Sequence, residues 1–292
     1  MSKYFNSDIL FYVIVYFIVI FAFIITLYPF MHVVAISFSG SNAVYLNQVY
    51  IWPKGFTLDG YKQVLQQSGL WTAYGNTVYY TLVGTTINVI CTTIAAYPLS
   101  RRHMYGRRFF NFFMAFTMYF SGGLIPSFLL ITNLGFYNSR WVMVIPGLIS
   151  VWNVMVCRAA FSAVPEELIE CAQIDGLNDM QIFYRVAVRL ITPTLAVLTL
   201  WYAVGHWNNF FTPLLYFTRQ ELMPLQVLLR RVLIQGSQEL MNRGAVMIEE
   251  REPVSLQLRY VTIVVATLPI LMIYPIIQKY FVKGVMLGAI KG

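Results

Sequence analysis

Acidic side chains are concentrated in one short stretch, EELIECAQIDG, which covers residues 166–176 of a 292-residue chain. Carboxylates could serve in acid–base catalysis, but that chemistry needs a second catalytic group held close by. The sequence offers no paired-carboxylate or Ser–His arrangement, and its three histidines are scattered at His32, His103 and His206. The phosphate-binding pattern G-x-x-x-x-G-K-[ST] is also absent from the sequence. These residues therefore favour a structural or docking element over a catalytic centre, and the chain is not expected to be an enzyme.

Local signals within this stretch predict a short helix followed by a sharp turn. Pro165 suits the first helical position. Glu166 and Glu167 are favourable at the positive end of a helix dipole. Gly176 ends the helix, because glycine adopts a left-handed conformation easily.

A second short helix is predicted directly after the turn. Asn178 can cap it, with Asp179 in its first turn. Met180, Phe183 and Ala187 recur at helical spacing and give the second helix one apolar face. The two helices, residues 165–187, form a helix–turn–helix knuckle with an apolar edge that needs a partner. The alternative is a solvated loop that only links two membrane spans.

The elements that must position the knuckle are strongly apolar. Hydrophobic residues make up 58% of the chain and charged residues only 11%, against about 25% charged residues in soluble domains. Several apolar blocks reach the length of about 20 residues that a bilayer-spanning helix needs. Six spans are predicted, at about 8–37, 72–99, 109–132, 141–161, 191–217 and 258–282. The chain is thus expected to be an all-α integral membrane protein with a single transmembrane domain, residues 1–292.

Basic residues set the expected orientation. The net charge is +8, but a nucleic-acid binder would carry its basic residues on one polar face. Here they lie in short clusters beside apolar blocks, as the positive-inside rule expects. The four arginines of RRHMYGRR, residues 101–108, place that loop in the cytoplasm. The knuckle and both termini are then cytoplasmic, and the long loop 218–257 is external.

The knuckle sequence resembles the EAA motif of permease subunits in binding-protein-dependent ABC importers. The positions that match are Glu170, Ala172, Asp175, Gly176, Phe183 and Pro193. The sequence departs from the motif at three positions: Cys171 replaces the first alanine, Leu177 a small residue and Arg189 the first proline. Cysteine for alanine is a mild change. Arg189 bears on how the second helix joins the fifth span and leaves the Asp-Gly turn untouched.

The resemblance extends over most of the chain. NTVYYTLVGTTINVICTTIAAYPLSRR, HWNNFFTPLLYF and YPIIQKYFVKGVMLGAIKG are similar to the second span, the fifth span and the C-terminal tail of carbohydrate-importer permeases. The chain resembles the smaller maltose-importer permease and, within that family, the subset that imports oligosaccharides from degraded polysaccharides, of the alginate or pectin-fragment type. This implies the type I ABC importer permease fold, with six transmembrane helices and a coupling helix between spans four and five, in the loop 162–190.

The resemblance also implies partners and roles. The partners are a second homologous permease, a dimer of cytoplasmic ATP-binding subunits and an extracytoplasmic solute-binding protein, at the bacterial inner membrane. ATP and Mg would be bound by the ATPase subunits, and this chain would bind no cofactor or metal. The residues expected to couple to the ATPase are Glu166, Glu167, Glu170, Ala172, Asp175, Gly176 and Phe183.

Two further features are expected to contribute to transport. His206, Trp207, Asn208 and Asn209 are polar or aromatic groups within the fifth span; they either line the sugar pathway or hydrogen-bond between helices. The loop 218–257 contains PLQVLLRRVLIQ, an amphipathic helix that either lies on the membrane surface or, by the resemblance, contacts the binding protein through Leu225, Arg230 and Arg231. The tail 283–292 would insert between the ATPase subunits; the alternative is a disordered end.

Two other classes of protein compete with the importer. An ion-coupled secondary transporter of a small polar solute would carry ionisable residues in mid-span, but the predicted spans are nearly free of Asp, Glu and Lys. A membrane-embedded enzyme would need catalytic groups clustered at one depth, and the sequence shows none. Both alternatives are therefore less favoured than the importer permease.

Overall fold

A computed structural model describes residues 2–242, 256–269 and 271–272. Every regular element within these ranges is helical, as the all-α prediction requires. In chain order the helices are α1 (Ser2–Ser37), α2 (Ser41–Tyr45), α3 (Asp59–Gln66), α4 (Ser68–Ser100), α5 (Arg107–Tyr119), α6 (Leu124–Asn133), α7 (Val151–Ser162), α8 (Glu166–Ile174), α9 (Asp179–Ile182), α10 (Val188–Leu190), α11 (Thr192–Trp207), α12 (Phe211–Tyr216), α13 (Leu225–Asn242) and α14 (Leu256–Pro269). Short 3₁₀ turns cover Arg140–Met143 and Gln220–Leu222, and a π turn covers Phe183–Ala187.

Two helices in the described ranges are long and apolar enough to cross a bilayer. They are the Phe11–Ser37 part of α1 and the whole of α4. Two further candidates are bent pairs: α5 with α6, at 113°, and Asp179–Leu190 with α11, at 81°. The described part of the chain therefore contains two to four candidate spans, where the sequence predicts six. The predicted sixth span, 258–282, extends beyond the described residues.

The third, fourth and fifth predicted spans are not continuous helices in the structure. The third breaks between Tyr119 and Leu124, where Gly123 adopts a positive φ of 82°. The fourth begins as a 3₁₀ turn, and its α-helix starts only at Val151, after an irregular segment at 144–150. The fifth is interrupted between α11 and α12. Apolar composition does not register such breaks, because a membrane protein can satisfy the freed backbone groups with neighbouring helices.

The described residues form two compact units. One contains the residues up to Leu70 together with Leu229–Pro269, and its core joins Ala35, Ile36 and Val44 to Leu256 and Tyr260. Within α1, the apolar side chains from Phe11 to Phe30 are almost all exposed, as expected of a helix that faces lipid or another subunit.

The second unit contains Trp71–Leu228, and most of α4 lies at its centre. Towards the Trp71 end of α4, Tyr80 packs with Tyr216 and Phe217. Towards the Ser100 end, Ala96 and Leu99 pack with residues of α7, the π turn and α11. α4 thus contacts most of the elements that carry the candidate site.

Candidate functional site

The turn of the knuckle is a helix C-terminal motif of the Schellman type. α8 begins at Glu166, so Pro165 precedes the helix by one position and is not its first residue as predicted. Gly176 has a φ of 80°, which confirms the left-handed glycine. The Gly176 N–H donates to the Gln173 carbonyl (3.0 Å), and the Leu177 N–H donates to the Ala172 carbonyl (3.1 Å).

Leu177 is one of the departures from the family motif. Its contacts within this turn explain why a large apolar residue occupies the position. In a Schellman motif the residue after the glycine commonly makes an apolar contact with the last turn of the helix. Leu177 packs against the cluster formed by Ile169, Ala172 and Ile182. A larger apolar residue at this position therefore stabilises the turn.

The second helix begins with a full capping box, which confirms the predicted role of Asn178. The Gln181 N–H donates to Asn178 Oδ1 (2.9 Å), and the Asn178 N–H donates to Gln181 Oε1 (3.0 Å). Such reciprocal bonds satisfy two backbone donors that a helix start would otherwise leave open. The turn and the cap together fix the angle between α8 and α9 within a few residues.

The apolar face of the second helix differs from the prediction at one residue. Ala187 is fully buried, and Phe183 packs against Tyr97 and Phe161. Met180, in contrast, is 68% exposed. The π turn adds a residue to one turn of helix and so changes the register. As a result Ile182, five residues before Ala187, takes the buried position instead of Met180.

The outward side of the knuckle combines acids with apolar side chains. Glu166, Glu167, Glu170 and Asp175 are exposed, and in the described part of the chain none of them forms an ion pair. Ile174 is 85% exposed at the end of α8. Ala172, by contrast, is buried. This surface can bind another protein, and its acids are placed to meet cations there.

The start of the knuckle borders a cleft of about 450 Å³. Arg101 and Arg102 line one part of this cleft and Glu166 and Glu167 another. The basic loop 101–108 and the acidic stretch therefore begin on the same side of the unit, as the predicted topology requires. Arg101 also lies over the Tyr97 ring, 4.6 Å from its centroid.

His206 takes part in a polar cluster in the core of the second unit. Its Nε2 lies 2.7 Å from Asn88 Oδ1 of α4. Asn88 is fully buried, and its Nδ2 donates to the carbonyls of Gly147 (2.7 Å) and Leu148 (2.8 Å). Asn88 thus joins α4, α11 and the irregular segment at 144–150. Gly84 leaves space for the imidazole, because a Cβ at that position would lie only 2.5 Å from the ring.

A second polar contact binds the same irregular segment one helical turn further along α4. The hydroxyls of Thr92 and Tyr202 lie 2.6 Å apart, and both residues are buried. The Ser150 N–H donates to the Tyr202 hydroxyl (3.2 Å). Sequence reasoning missed Gly84, Asn88 and Thr92. The sequence nevertheless contained a signal: these residues, together with Asn76 and Tyr80, recur every four positions and so lie on one face of a helix.

The remaining residues of the predicted pathway have different environments. Trp207 is buried, and its indole N–H has no hydrogen-bond partner among the described residues. Asn209 precedes α12, and its Oδ1 accepts from the Thr212 N–H in the first turn of that helix (3.2 Å). Asn208 is exposed, and its Oδ1 accepts from Gln226 (3.3 Å). His206 and Asn209 therefore stabilise the helices around them, and Asn208 is the one of the four that lies open to the surface.

The predicted binding-protein residues lie at the start of α13. Leu225 is fully buried, so its side chain does not lie on the surface of this chain. Arg230 and Arg231 are exposed. Most of the loop beyond Asn242, and the whole predicted tail 283–292, lie outside the described residues.

These features define a helical protein with apolar helices long enough to cross a membrane and an exposed helix–turn–helix knuckle. Within the described ranges, no group of three or more His, Cys, Asp or Glu side chains could hold a metal ion. Residues 69–287 match the family described as the inner membrane component of binding-protein-dependent transport systems. The chain belongs to that family.

Individual relatives are similar over nearly the whole chain. The polygalacturonan/rhamnogalacturonan transport system permease protein YtcP of Bacillus subtilis is 37% identical, over 94% of this chain and 96% of the relative. Protein LplC of the same organism is 38% identical, over 92% and 90%. A crystal structure of a bacterial ABC transporter that imports the acidic polysaccharide alginate contains a chain with 31% identity and a TM-score of 0.86. That match covers 94% of this chain and 98% of the other.

Proposed function

We propose that this chain is one of two permease subunits of an ATP-driven importer that carries oligosaccharides across the bacterial inner membrane. The observation that carries the proposal is its similarity over nearly full length to a polygalacturonan/rhamnogalacturonan permease and to a chain of an alginate importer. Six spans with both termini in the cytoplasm, a second homologous permease, a dimer of ATP-binding subunits and a solute-binding protein complete the proposed assembly. ATP and Mg belong to the ATPase subunits in this scheme.

The proposed substrate is an oligosaccharide that contains uronic acids. Galacturonan and alginate are both polymers of such sugars, and the relatives named for them share at least 31% of their residues with this chain. Uptake of labelled oligogalacturonate and alginate oligomers, with and without this gene, tests the proposal. Neutral maltotriose serves as the control sugar. Uptake of neutral sugar alone would contradict the proposed substrate class.

The knuckle is proposed to be the docking element for the ATPase. Its support is the exposed surface of acids and apolar side chains, which the Schellman turn and the capping box hold in shape. Ile174 is 85% exposed at the end of α8, beside these acids, and in this proposal it packs against the ATPase. Closure of the ATPase dimer would then displace the knuckle, and with it the helices packed on Phe183.

Co-purification tests the docking role. A tagged Ile174→Asp chain is expected to retain the second permease and lose most of the ATPase when extracted in mild detergent. Leu46→Asp is the matched control: Leu46 is 60% exposed but lies just after α2, far along the chain from the knuckle. Equal ATPase recovery with wild type and Ile174→Asp would contradict the docking role.

The pathway wall is proposed to include the irregular segment at 144–150 and Asn208. Non-helical backbone at membrane depth is tolerated where it is covered by protein or lines a water-filled cavity. Pro146 and Gly147 are exposed in this chain, so the second permease or a water-filled path must lie against them. Sugar hydroxyls can hydrogen-bond to backbone groups freed by the break.

The loop 218–257 is proposed to contact the solute-binding protein, with Arg230 and Arg231 as its exposed cations. Leu225 is removed from the proposed contact because it is buried. The insertion of the tail 283–292 between ATPase subunits stays a prediction from the family resemblance. The alternative of an ion-coupled secondary transporter loses support from the family match, since that family works with binding proteins.

A further inference from the structure

Polar side chains at the Trp71 end of α4 hold the main chain that leads into α13. Asn76 Nδ2 donates to the carbonyls of Glu221 (2.6 Å) and Met223 (3.2 Å). The Tyr80 hydroxyl donates to the Leu222 carbonyl between them (3.0 Å). Both side chains are buried. Three consecutive carbonyls of the segment thus receive hydrogen bonds from one helix.

Thr77 completes the attachment at the first residue of α13. Its hydroxyl accepts from the Leu225 N–H (2.8 Å) and donates to the Ala73 carbonyl within α4 (2.9 Å). Thr77 is 1% exposed, so water does not compete for these bonds. Each buried bond lost would leave a polar group without a partner, which is costly in the absence of water. All these contacts go to main-chain atoms and hold the segment whatever its side chains are.

The other end of α4 contacts the knuckle. The Tyr97 ring lies 5.3 Å from that of Phe161 and 5.0 Å from that of Phe183, between ring centroids. Asn76 and Tyr97 belong to the same unbroken helix and lie roughly 30 Å apart along its axis. One continuous helix, with Pro98 next to Tyr97, therefore holds the start of α13 at one end and packs on the knuckle at the other.

We propose that Asn76, Thr77 and Tyr80 form a mount through which a binding protein docked at the start of α13 displaces α4 and, through Tyr97, the knuckle. The proposal rests on the proposed function, because it requires the loop to contact the binding protein. The three residues are positioning residues that touch neither sugar nor nucleotide. Coupling between distant sites needs a physical element that both sites bias, and α4 contacts both.

The test uses the whole assembly in lipid nanodiscs, with both permeases, the ATPase subunits and the purified binding protein loaded with oligogalacturonate. The variant Thr77→Val with Tyr80→Phe removes two hydroxyls and keeps the shape of both side chains. Thr86→Val is the matched control, because Thr86 is exposed on α4 and, among the described residues, its hydroxyl bonds only to Leu82 of the same helix. ATPase rates are measured with and without the binding protein.

The double variant is expected to keep its subunits and its basal ATPase rate. The extra rate that the loaded binding protein produces should fall by about tenfold, as the loss of one or two buried hydrogen bonds predicts. Full stimulation in the double variant, or an equal loss in Thr86→Val, would overturn the mount. Loss of basal activity would also overturn it, because the residues would then serve folding alone. A wild-type assembly that the binding protein does not stimulate would refute the proposed function itself.

Discussion

Replacing Gly84 by alanine should destabilise the core of the second unit. A Cβ at this position would lie 2.5 Å from Cε1 and Nε2 of His206 and 2.9 Å from Cδ2, whereas carbon contacts are normally about 3.5–4.0 Å. The imidazole must therefore retreat by about 1 Å. Its Nε2 lies 2.7 Å from Asn88 Oδ1, so such a shift would stretch the bond beyond the usual limit of about 3.2 Å.

The expected loss of stability on replacing Gly84 by alanine is the sum of three contributions. Overpacking of this kind costs about 1–3 kcal/mol, and a lost hydrogen bond between membrane helices costs about 0.6–1.7 kcal/mol. Alanine in place of glycine within a helix returns up to about 1 kcal/mol. The net loss expected for Gly84→Ala is about 1–4 kcal/mol. Gly75→Ala on the same helix is the control, because a Cβ there meets nothing within 4 Å.

The assay is thermal unfolding of the purified assembly, followed by the fraction that stays monodisperse after heating. Each kcal/mol corresponds to about 2 °C for a chain of this length. Gly84→Ala should therefore melt about 2–8 °C lower than wild type. Gly75→Ala should melt at the wild-type temperature or slightly above it.

A double-mutant cycle tests whether the clash with His206 causes the loss of stability in Gly84→Ala. In a His206→Ala background the ring is absent, so Gly84→Ala should have no further cost and can regain helix stability. Additive losses in the double variant would refute the steric argument. Wild-type stability of the single Gly84→Ala variant would refute it as well.

Three further predictions concern turns and caps. Gly176→Ala places a side chain at a φ of 80°, which costs about 1–2 kcal/mol. The ratio of sugar transported to ATP hydrolysed should therefore fall. An unchanged ratio would contradict the role of the turn. Asn178→Ala removes the side-chain half of the capping box and should lower the stability of α9 by about 1 kcal/mol, seen as faster amide hydrogen exchange at 179–182 against unchanged exchange in α7. Asn138 combines a φ of 57° with an Oδ1 that accepts from the Thr218 N–H (2.8 Å), so Asn138→Ala should lower the melting temperature of the assembly more than Asn138→Gly does, and the reverse order would contradict the strain argument.

The knuckle could be predicted from sequence because its determinants are local. A glycine at the turn, an asparagine before the next helix and acids in the first turns act within a few residues of the backbone that they shape. The error at Met180 arose from the π turn at Phe183–Ala187. Nothing in the spacing of apolar residues indicates an inserted residue of this kind.

The breaks in the spans depend on distant partners and could not be predicted in the same way. Pro146 and Gly147 allow the chain to leave the helix, but the irregular segment persists because Asn88 and Tyr202 bind its backbone. Both belong to other helices. An asparagine in an apolar block indicates that some polar contact exists, and only the fold shows which carbonyl it reaches.

The polar residues of α4 also constrain where a sugar can bind. Asn76, Tyr80, Asn88 and Thr92 are buried, and each side chain is already engaged with main-chain or side-chain groups of this chain. A substrate could bind them only by breaking bonds that hold the helices together. Hydrogen bonds to the sugar are therefore expected from groups that lie open, such as those on the exposed side of the irregular segment at 144–150, or from the second permease. Substitutions along α4 should then alter stability and coupling, while those at the exposed break should alter which sugars are carried.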